Sequence, residues 1–207
     1  FKTSAYLADK LEAMGYKVTR NIGGTGVIGE IKGSEPGPVM MLRADMDALP
    51  FLIDGEKKNI HACGHDAHSA MLLAAASELV GKVKRGTLRI LFQQGEETLK
   101  GALAVIDAGV IEDVDIALGL HIRPVQDIAY GEMSPAVRHA SSTFVNVVIN
   151  GLSSHGARPH LGVNAIEAAA VAINAITAIK INPIIPWSCK VTGIKGGGVA
   201  PNIIPDK

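Results

Sequence analysis

Apolar and polar positions follow two alternating periods along the first 120 or so residues. Tyr6, Leu7, Leu11 and Met14 recur at helical spacing and predict an amphipathic helix at the start of the chain. Short strands are predicted at 16–19, 26–31 and 39–43, followed by a helix from about Ala67 to Val80, rich in Ala, Leu and Met. The run Leu88-Arg89-Ile90-Leu91-Phe92 reads as a buried strand ending in a Gly turn, and a helix is predicted over Ala102 to Ala108. A further apolar run, Asp115 to Leu120, reads as a strand that Arg123-Pro124 terminates. Strands that alternate with helices in this way predict an α/β fold.

The character changes between Pro135 and Ser142. Phe144-Val145-Asn146-Val147-Val148-Ile149 alternates like a strand, Asn164 to Ile179 reads as a long Ala- and Ile-rich helix, and Ser188 to Ile194 reads as a second strand. Strand, helix, strand is half or more of a ferredoxin-like sandwich. A helix broken only by Asn164, Glu167, Asn174 and Lys180 is expected to be mostly buried, on its own sheet or against a partner subunit. The division expected is a first domain over 1–137 and a second over 138–207.

Composition narrows the function classes. Hydrophobic residues make up 47% and charged residues 19% of the 207, enough apolar material for a sizeable core. Lys plus Arg and Asp plus Glu both number 20, so no net basic charge favours nucleic acid as a partner. No run of about 18 uncharged apolar residues predicts a membrane span. The glycine pattern Gly24-Thr25-Gly26-Val27-Ile28-Gly29 looks like a dinucleotide-binding loop, but Val27 to Ile31 reads as strand where that motif needs a helix, so a β-turn is expected. Cys63 and Cys189 are expected to remain unpaired, Cys189 as a buried core thiol, in a reducing cytoplasmic setting.

Candidate chemistry concentrates in His61-Ala62-Cys63-Gly64-His65-Asp66-Ala67-His68, three imidazoles, a thiol and a carboxylate within eight residues. Thiolate and imidazole one residue apart can grip one borderline-soft divalent ion. Gln93-Gln94-Gly95-Glu96-Glu97 follows a predicted strand, and adjacent residues of extended chain point apart. One carboxylate of the pair can therefore face a metal while the other stays free to move protons. His121 closes the next apolar run. All of these groups lie where ligand crevices form in parallel sheets, at the carboxyl ends of strands.

Taken with Arg43-Ala44-Asp45-Met46-Asp47-Ala48-Leu49-Pro50, Gly119-Leu120-His121 and Ser154-His155-Gly156-Ala157-Arg158-Pro159-His160, this pattern resembles the co-catalytic metallopeptidase and aminoacylase superfamily. The branch is that of hippurate hydrolases, N-acyl-amino-acid deacylases and auxin-conjugate hydrolases. The resemblance implies a zinc-peptidase-like catalytic domain, a mixed sheet flanked by helices, with an inserted ferredoxin-like lid that forms a homodimer. It implies two divalent ions per subunit, zinc or manganese with cobalt or nickel as alternatives, held by Cys63, His65, Glu97 and His121. Glu96 becomes the general base toward a metal-activated water, and His155 reaches a neighbouring subunit's site to polarise the scissile carbonyl. Asn202 contacts substrate, and Asp47 orients a ligand from behind. For Asn202 a purely backbone role in a Gly-rich turn stays open.

The substrate implied is a small N-acyl or N-aroyl amino acid, cleaved at its amide, with no nucleic acid or membrane partner. A dipeptidase or carboxypeptidase of the same superfamily and a non-catalytic metal-binding dimer are the alternatives. A further His ligand is implied near the C-terminus, yet no His follows His160, and the chain reads as truncated at both ends and poorly active alone. Asp45 stands where carboxypeptidase-like relatives carry a His ligand. Contact of Asp45, Asp66, His61 or His68 with metal stays open, with His61 and His68 expected as hydrogen-bonded supports. Between Pro50 and His61 a shorter wall is expected than in relatives.

Overall fold

The computed structural model describes residues 1–135 and 141–207. These form two compact units, Phe1–Met133 and Ser134–Lys207. The boundary expected at 137/138 lies outside the described residues.

The first unit runs α1 (Lys2–Ala13), β1 (Lys17–Ile22), β2 (Gly26–Lys32), β3 (Glu35–Asp45), β4 (Leu49–Ile53), β5 (Glu56–Ile60), α2 (His65–Leu79), β6 (Arg85–Gln93), α3 (Gly101–Asp107) and β7 (Ile116–Gly119). Five strands make a mixed sheet in the order β1-β2-β6-β3-β7. β1, β2 and β6 pair antiparallel, while β3 pairs parallel with both β6 and β7. The glycine pattern at 24–29 covers the turn of the β1–β2 hairpin and the start of β2, as its strand-like continuation implied.

Side-chain alternation along the central strands divides the interior in two. Leu88, Ile90 and Phe92 of β6 join Val27, Ala44, Leu7, Leu11, Leu72 and Ala76 in one core, where α1 and α2 pack. Leu91 faces the other way, with Ile28, Met41 and Val105 of α3. Strands buried on both faces by helices read as unbroken apolar runs, which is why β6 was legible without a clean polar alternation. Arg89 is the one charge in that run; it is buried and carries Glu30 Oε1 at 2.7 Å and Asp113 Oδ1 at 2.6 Å. Tyr16, just before β1, fastens the α1–β1 connection to α2 through a 2.8 Å bond from its hydroxyl to the Ala76 carbonyl.

The stretch read as a short wall between Pro50 and His61 is the β4–β5 hairpin. Asp54 and Gly55 both take positive φ, 53° and 80°. That is the Asp-Gly signature of a tight hairpin turn.

The second unit holds β8 (Ser154–His155), a 3-10 turn at Pro159–Leu161, α4 (Ala165–Thr177) and β9 (Ile203–Ile204), with β8 and β9 antiparallel. Asn164 caps α4, its side-chain oxygen accepting from the Ile166 and Glu167 amides. Two expectations fail here, and of the two burials expected for α4 the one on its own sheet is not found. Residues 144–149 and 188–194 form no strand, Cys189 is an exposed free thiol, and in α4 only Ala165 is buried. Alternation states which side chains share a face; it supplies no ladder partner. Among the described residues neither stretch has one. None of the described helices is long and apolar enough to cross a membrane.

Candidate metal centre

Three parallel strands deliver the site. β3 ends at Asp45 and leads to Asp47, β6 ends at Gln93 and leads to Glu96 and Glu97, and β7 ends at Gly119 and leads to His121. The fourth contribution comes from the start of α2. There Gly64 caps the helix at φ 82°, and a Cβ on it would run into the Ile122 side chain, so only glycine lets Cys63 and His65 turn inward. The Glu pair sits in a tight turn closed by Leu99 N–H to Glu96 O at 2.8 Å and Gly101 N–H to Gly95 O at 3.0 Å. A Cβ on Gly101 would collide with the Gln94 carbonyl.

His65 is buried, and its two nitrogens have different surroundings. Nδ1 lies 3.2 Å from Asp47 Oδ1 and 3.1 Å from the Asp47 carbonyl, an arrangement that assigns it the proton. Nε2 is buried without a hydrogen-bond partner among the described residues, and so is Glu97 Oε1. Around Nε2 stand Glu97 Oε1 at 3.8 Å, Asp45 Oδ2 at 3.8 Å and Glu96 Oε2 at 3.9 Å. An enclosed lone pair and an enclosed carboxylate oxygen, each unpaired, are costly unless something positive lies between them.

Cys63 and His121 complete the group. Cys63 Sγ lies 3.5 Å from His121 Nε2, while His121 Nδ1 donates to the Ile122 carbonyl at 2.6 Å and leaves Nε2 as the lone-pair nitrogen. Burial, with Glu97, Glu96 and Asp45 nearby, pushes the Cys63 thiol up to about 11. Burial is the largest cause and the neighbouring carboxylates add to it, and a divalent cation placed there would offset both. Donor atoms on one ion of this kind lie roughly 3.4–3.8 Å apart, from bond lengths of about 2.0–2.3 Å. Cys63, His65 and His121 could hold a metal ion, as could His65, Glu96 and Glu97.

Asp47 ties His65 and Glu97 together. Its Oδ1 faces His65 Nδ1 and its Oδ2 accepts the Glu97 amide at 3.1 Å. Of the other open positions, His68 is hydrogen-bonded through both nitrogens. His61 departs from expectation: its Nδ1 is enclosed with no partner among the described residues. Asp66 caps its own helix turn, accepting from the Ala67 amide at 2.9 Å. In Asp45, burial raises the carboxyl's pKa but is outweighed by the His68 bond, Arg43 and His65, and the net shift is downward. Sequence reasoning missed Arg43 and Gln93. Arg43 holds Asp45 Oδ2 at 2.9 Å and Gln93 Oε1 at 3.0 Å, and the Arg-x-Asp spacing on one strand, which puts both on one face, is the signal that could have found them.

His155 and Asn202 belong to the second unit, where the β8–β9 ladder brings them together. The Gly156 amide donates to the Asn202 carbonyl at 2.7 Å and His155 pairs in register with Ile203. His155 Nδ1 accepts from the Ala157 amide at 3.1 Å.

The chain is 38% identical over its full length to a Saccharolobus solfataricus protein named thermostable carboxypeptidase 2, covering 56% of it. It is 36% identical to the hippurate hydrolase of Campylobacter jejuni, with 99% of this chain and 56% of that protein aligned. Among solved structures, the Bacillus subtilis YXEP protein, described as a dinuclear metal binding peptidase, superposes with a TM-score of 0.62 at 28% identity, over 99% of this chain and 55% of that one. The chain thus spans about half the length of the relatives it matches. Residues 41–196, which include Cys63, His65, Glu96, Glu97 and His121, match the model of peptidase family M20/M25/M40, and the chain belongs to that family.

Proposed function

We propose that this chain carries the metal centre of an amidohydrolase that cleaves the amide bond of N-acyl or N-aroyl amino acids, with Cys63, His65, Glu97 and His121 holding two divalent ions. The observation that carries the reading is the pair of buried atoms, His65 Nε2 and Glu97 Oε1, without a hydrogen-bond partner among the described residues and facing each other at 3.8 Å inside a cluster of acceptors. Zinc suits a site with a thiolate, and manganese, cobalt and nickel are compatible with the donors. When bound, such ions supply Lewis-acid activation of water and of the carbonyl.

The residues divide the remaining work by exposure. Glu97 turns an enclosed oxygen inward and is held through its amide by Asp47, which suits a ligand. Glu96 is the more open of the two, 36% exposed against 23%, which suits a carboxylate that accepts a proton at Oε2 and delivers it to the departing amine. Asp47 keeps the His65 proton on Nδ1 and so keeps Nε2 available. His155 is assigned to the scissile carbonyl, Asn202 to substrate contact, and residues 138–207 to a lid through which two subunits pair. A cytoplasmic setting suits a ligand thiol.

A carboxypeptidase or dipeptidase is the second reading, favoured by the 38% identity to a protein of that name. Hydrolysis of hippurate, N-acetyl amino acids, an aromatic-acyl amino acid and a plain dipeptide by the metal-stripped, reconstituted full-length protein separates the two. Metal-restored cleavage of acylated substrates that disappears in Glu96→Ala, with metal still bound, is the expected result. Cleavage confined to the dipeptide would select the second reading, and two bound ions without any turnover would sink both.

A further inference from the structure

We propose that His68 is a positioning residue of the metal centre, a strut of fixed tautomer that suspends the His121–Ile122 backbone from Asp45, and not itself a ligand. The inference rests on the metal-centre reading of the same site. By position alone His68 qualifies as a ligand, since Asp45, His65 and His68 bring donor atoms close enough to surround an ion. Its hydrogen bonds decide otherwise. The Ile122 amide donates to His68 Nε2 at 3.0 Å, so that nitrogen carries no proton. The single proton of the neutral ring is therefore on Nδ1, which donates to Asp45 Oδ1 at 2.6 Å. One donor and one acceptor are both used, and no lone pair is left for a cation.

What the strut positions follows from where it ends. The ladder of β7 stops at Gly119, so His121 and Ile122 lie in irregular chain with no sheet to orient them. The Ile122 peptide groups are gripped at both ends instead, the N–H by His68 and the carbonyl by His121 Nδ1. The His68 and His121 rings stand 4.3 Å apart, edge to face. Behind the strut, Asp45 is anchored by Arg43, which is anchored on Gln93, and the Ser69 hydroxyl donates to the Asp45 carbonyl at 3.0 Å. One line of hydrogen bonds thus runs from β6 through β3 and α2 to the loop that presents His121.

Imidazole geometry supplies a selective test. Nδ1 of His occupies nearly the place of an Asn side-chain amide, and Nε2 nearly that of a Gln amide. His68→Gln can keep an acceptor for Ile122, whereas His68→Asn keeps a donor for Asp45 and leaves the Ile122 amide unsupported. Cobalt(II) is titrated into the metal-free protein and its two variants, reading stoichiometry and the thiolate-to-cobalt charge-transfer band of Cys63. Absence of that band in the unsubstituted protein would reject the metal-centre reading itself. With the band present, the strut predicts unchanged stoichiometry in both variants, affinity within about threefold for His68→Gln, and a loss of about 10–100-fold for His68→Asn. Loss of one ion in both, equal weakening of both alongside an equal fall in Tm, or no change in either overturns it. Should a variant fail to fold, cadmium-113 to nitrogen-15 coupling in the unsubstituted protein decides alone: coupling to His65 and His121 but not His68 is expected, and coupling to His68 refutes the strut.

Discussion

β6 and the stretch 144–149 are both short apolar runs, yet one is the middle strand of the first unit's sheet and the other is bare. Ile90 and Phe92 are fully enclosed between partner strands and two helices, while Phe144 and Val147 stand 78% and 72% exposed with no ladder partner among the described residues. The difference lies in what surrounds them. β6 has strands on both sides and helices over both faces, so every alternate side chain finds a core. An apolar run becomes a buried strand only where the rest of the chain provides the other surfaces.

Truncation at each run breaks the comparison most sharply. Phe92→Ala is expected to cost about 3–5 kcal/mol in urea unfolding, since the cavity it leaves is walled by rigid strands. Val147→Ala should stay within about 0.5 kcal/mol, as befits an exposed position. A cost above about 2 kcal/mol at Val147 would mean that a partner strand covers it, and the expected lid sandwich would regain its place.

Asp45 carries the next largest effect, because its burial is tolerable only with Arg43 and His68 in place. Asp45→Asn is expected to destabilise the first unit by about 3 kcal/mol at neutral pH, leaving Arg43 without its charge partner. The direction with pH follows from the lowered carboxyl. Its stabilisation is complete above the unfolded-state value of about 3.9 and is lost as pH falls through the lower folded value. Stability measured from pH 6 down to 2 should therefore fall less steeply in Asp45→Asn than in the unsubstituted protein, and parallel curves would reject the assignment.

At the metal centre the comparison becomes one between groups that hold and groups that orient. Asp47→Asn leaves every proposed ligand in place but puts an amide where a carboxylate grips the His65 proton and the Glu97 amide. Metal affinity should drop by about 10–100-fold, with unchanged stoichiometry, in a chelator competition titration. A change below about threefold would show that His65 and Glu97 are oriented by their own elements.

How much of this was legible in the sequence follows the same division. The Cys-Gly-His-Asp-Ala-His block, the Glu pair and His121 stood out because reactive side chains at the ends of apolar runs are conspicuous, and the fold gathers them at one end of the sheet. The β4–β5 hairpin was equally legible through Asp54-Gly55 but went unread beside the resemblance to longer loops. Arg43–Gln93 and the bond from Ile122 to His68 were not, since they depend on register between β3 and β6 and on where an irregular loop turns. In the second unit the helix was readable from its cap and period, whereas the strands required partners that periodicity cannot name.

The α4 cap gives the smallest effect and the sharpest reading of that last point. Asn164 Oδ1 accepts from two amides, 3.0 Å from Ile166 and 3.3 Å from Glu167, at the start of a helix with only Ala165 buried. With so little tertiary burial, local terms set the helix's stability, and Asn164→Ala should remove about 1 kcal/mol, read as a loss of helical circular dichroism that saturating trifluoroethanol restores. If α4 were instead held by packing against another surface, the same substitution would leave its helicity untouched. The bare apolar faces of Ile166 and Val171 would then have to be covered in solution.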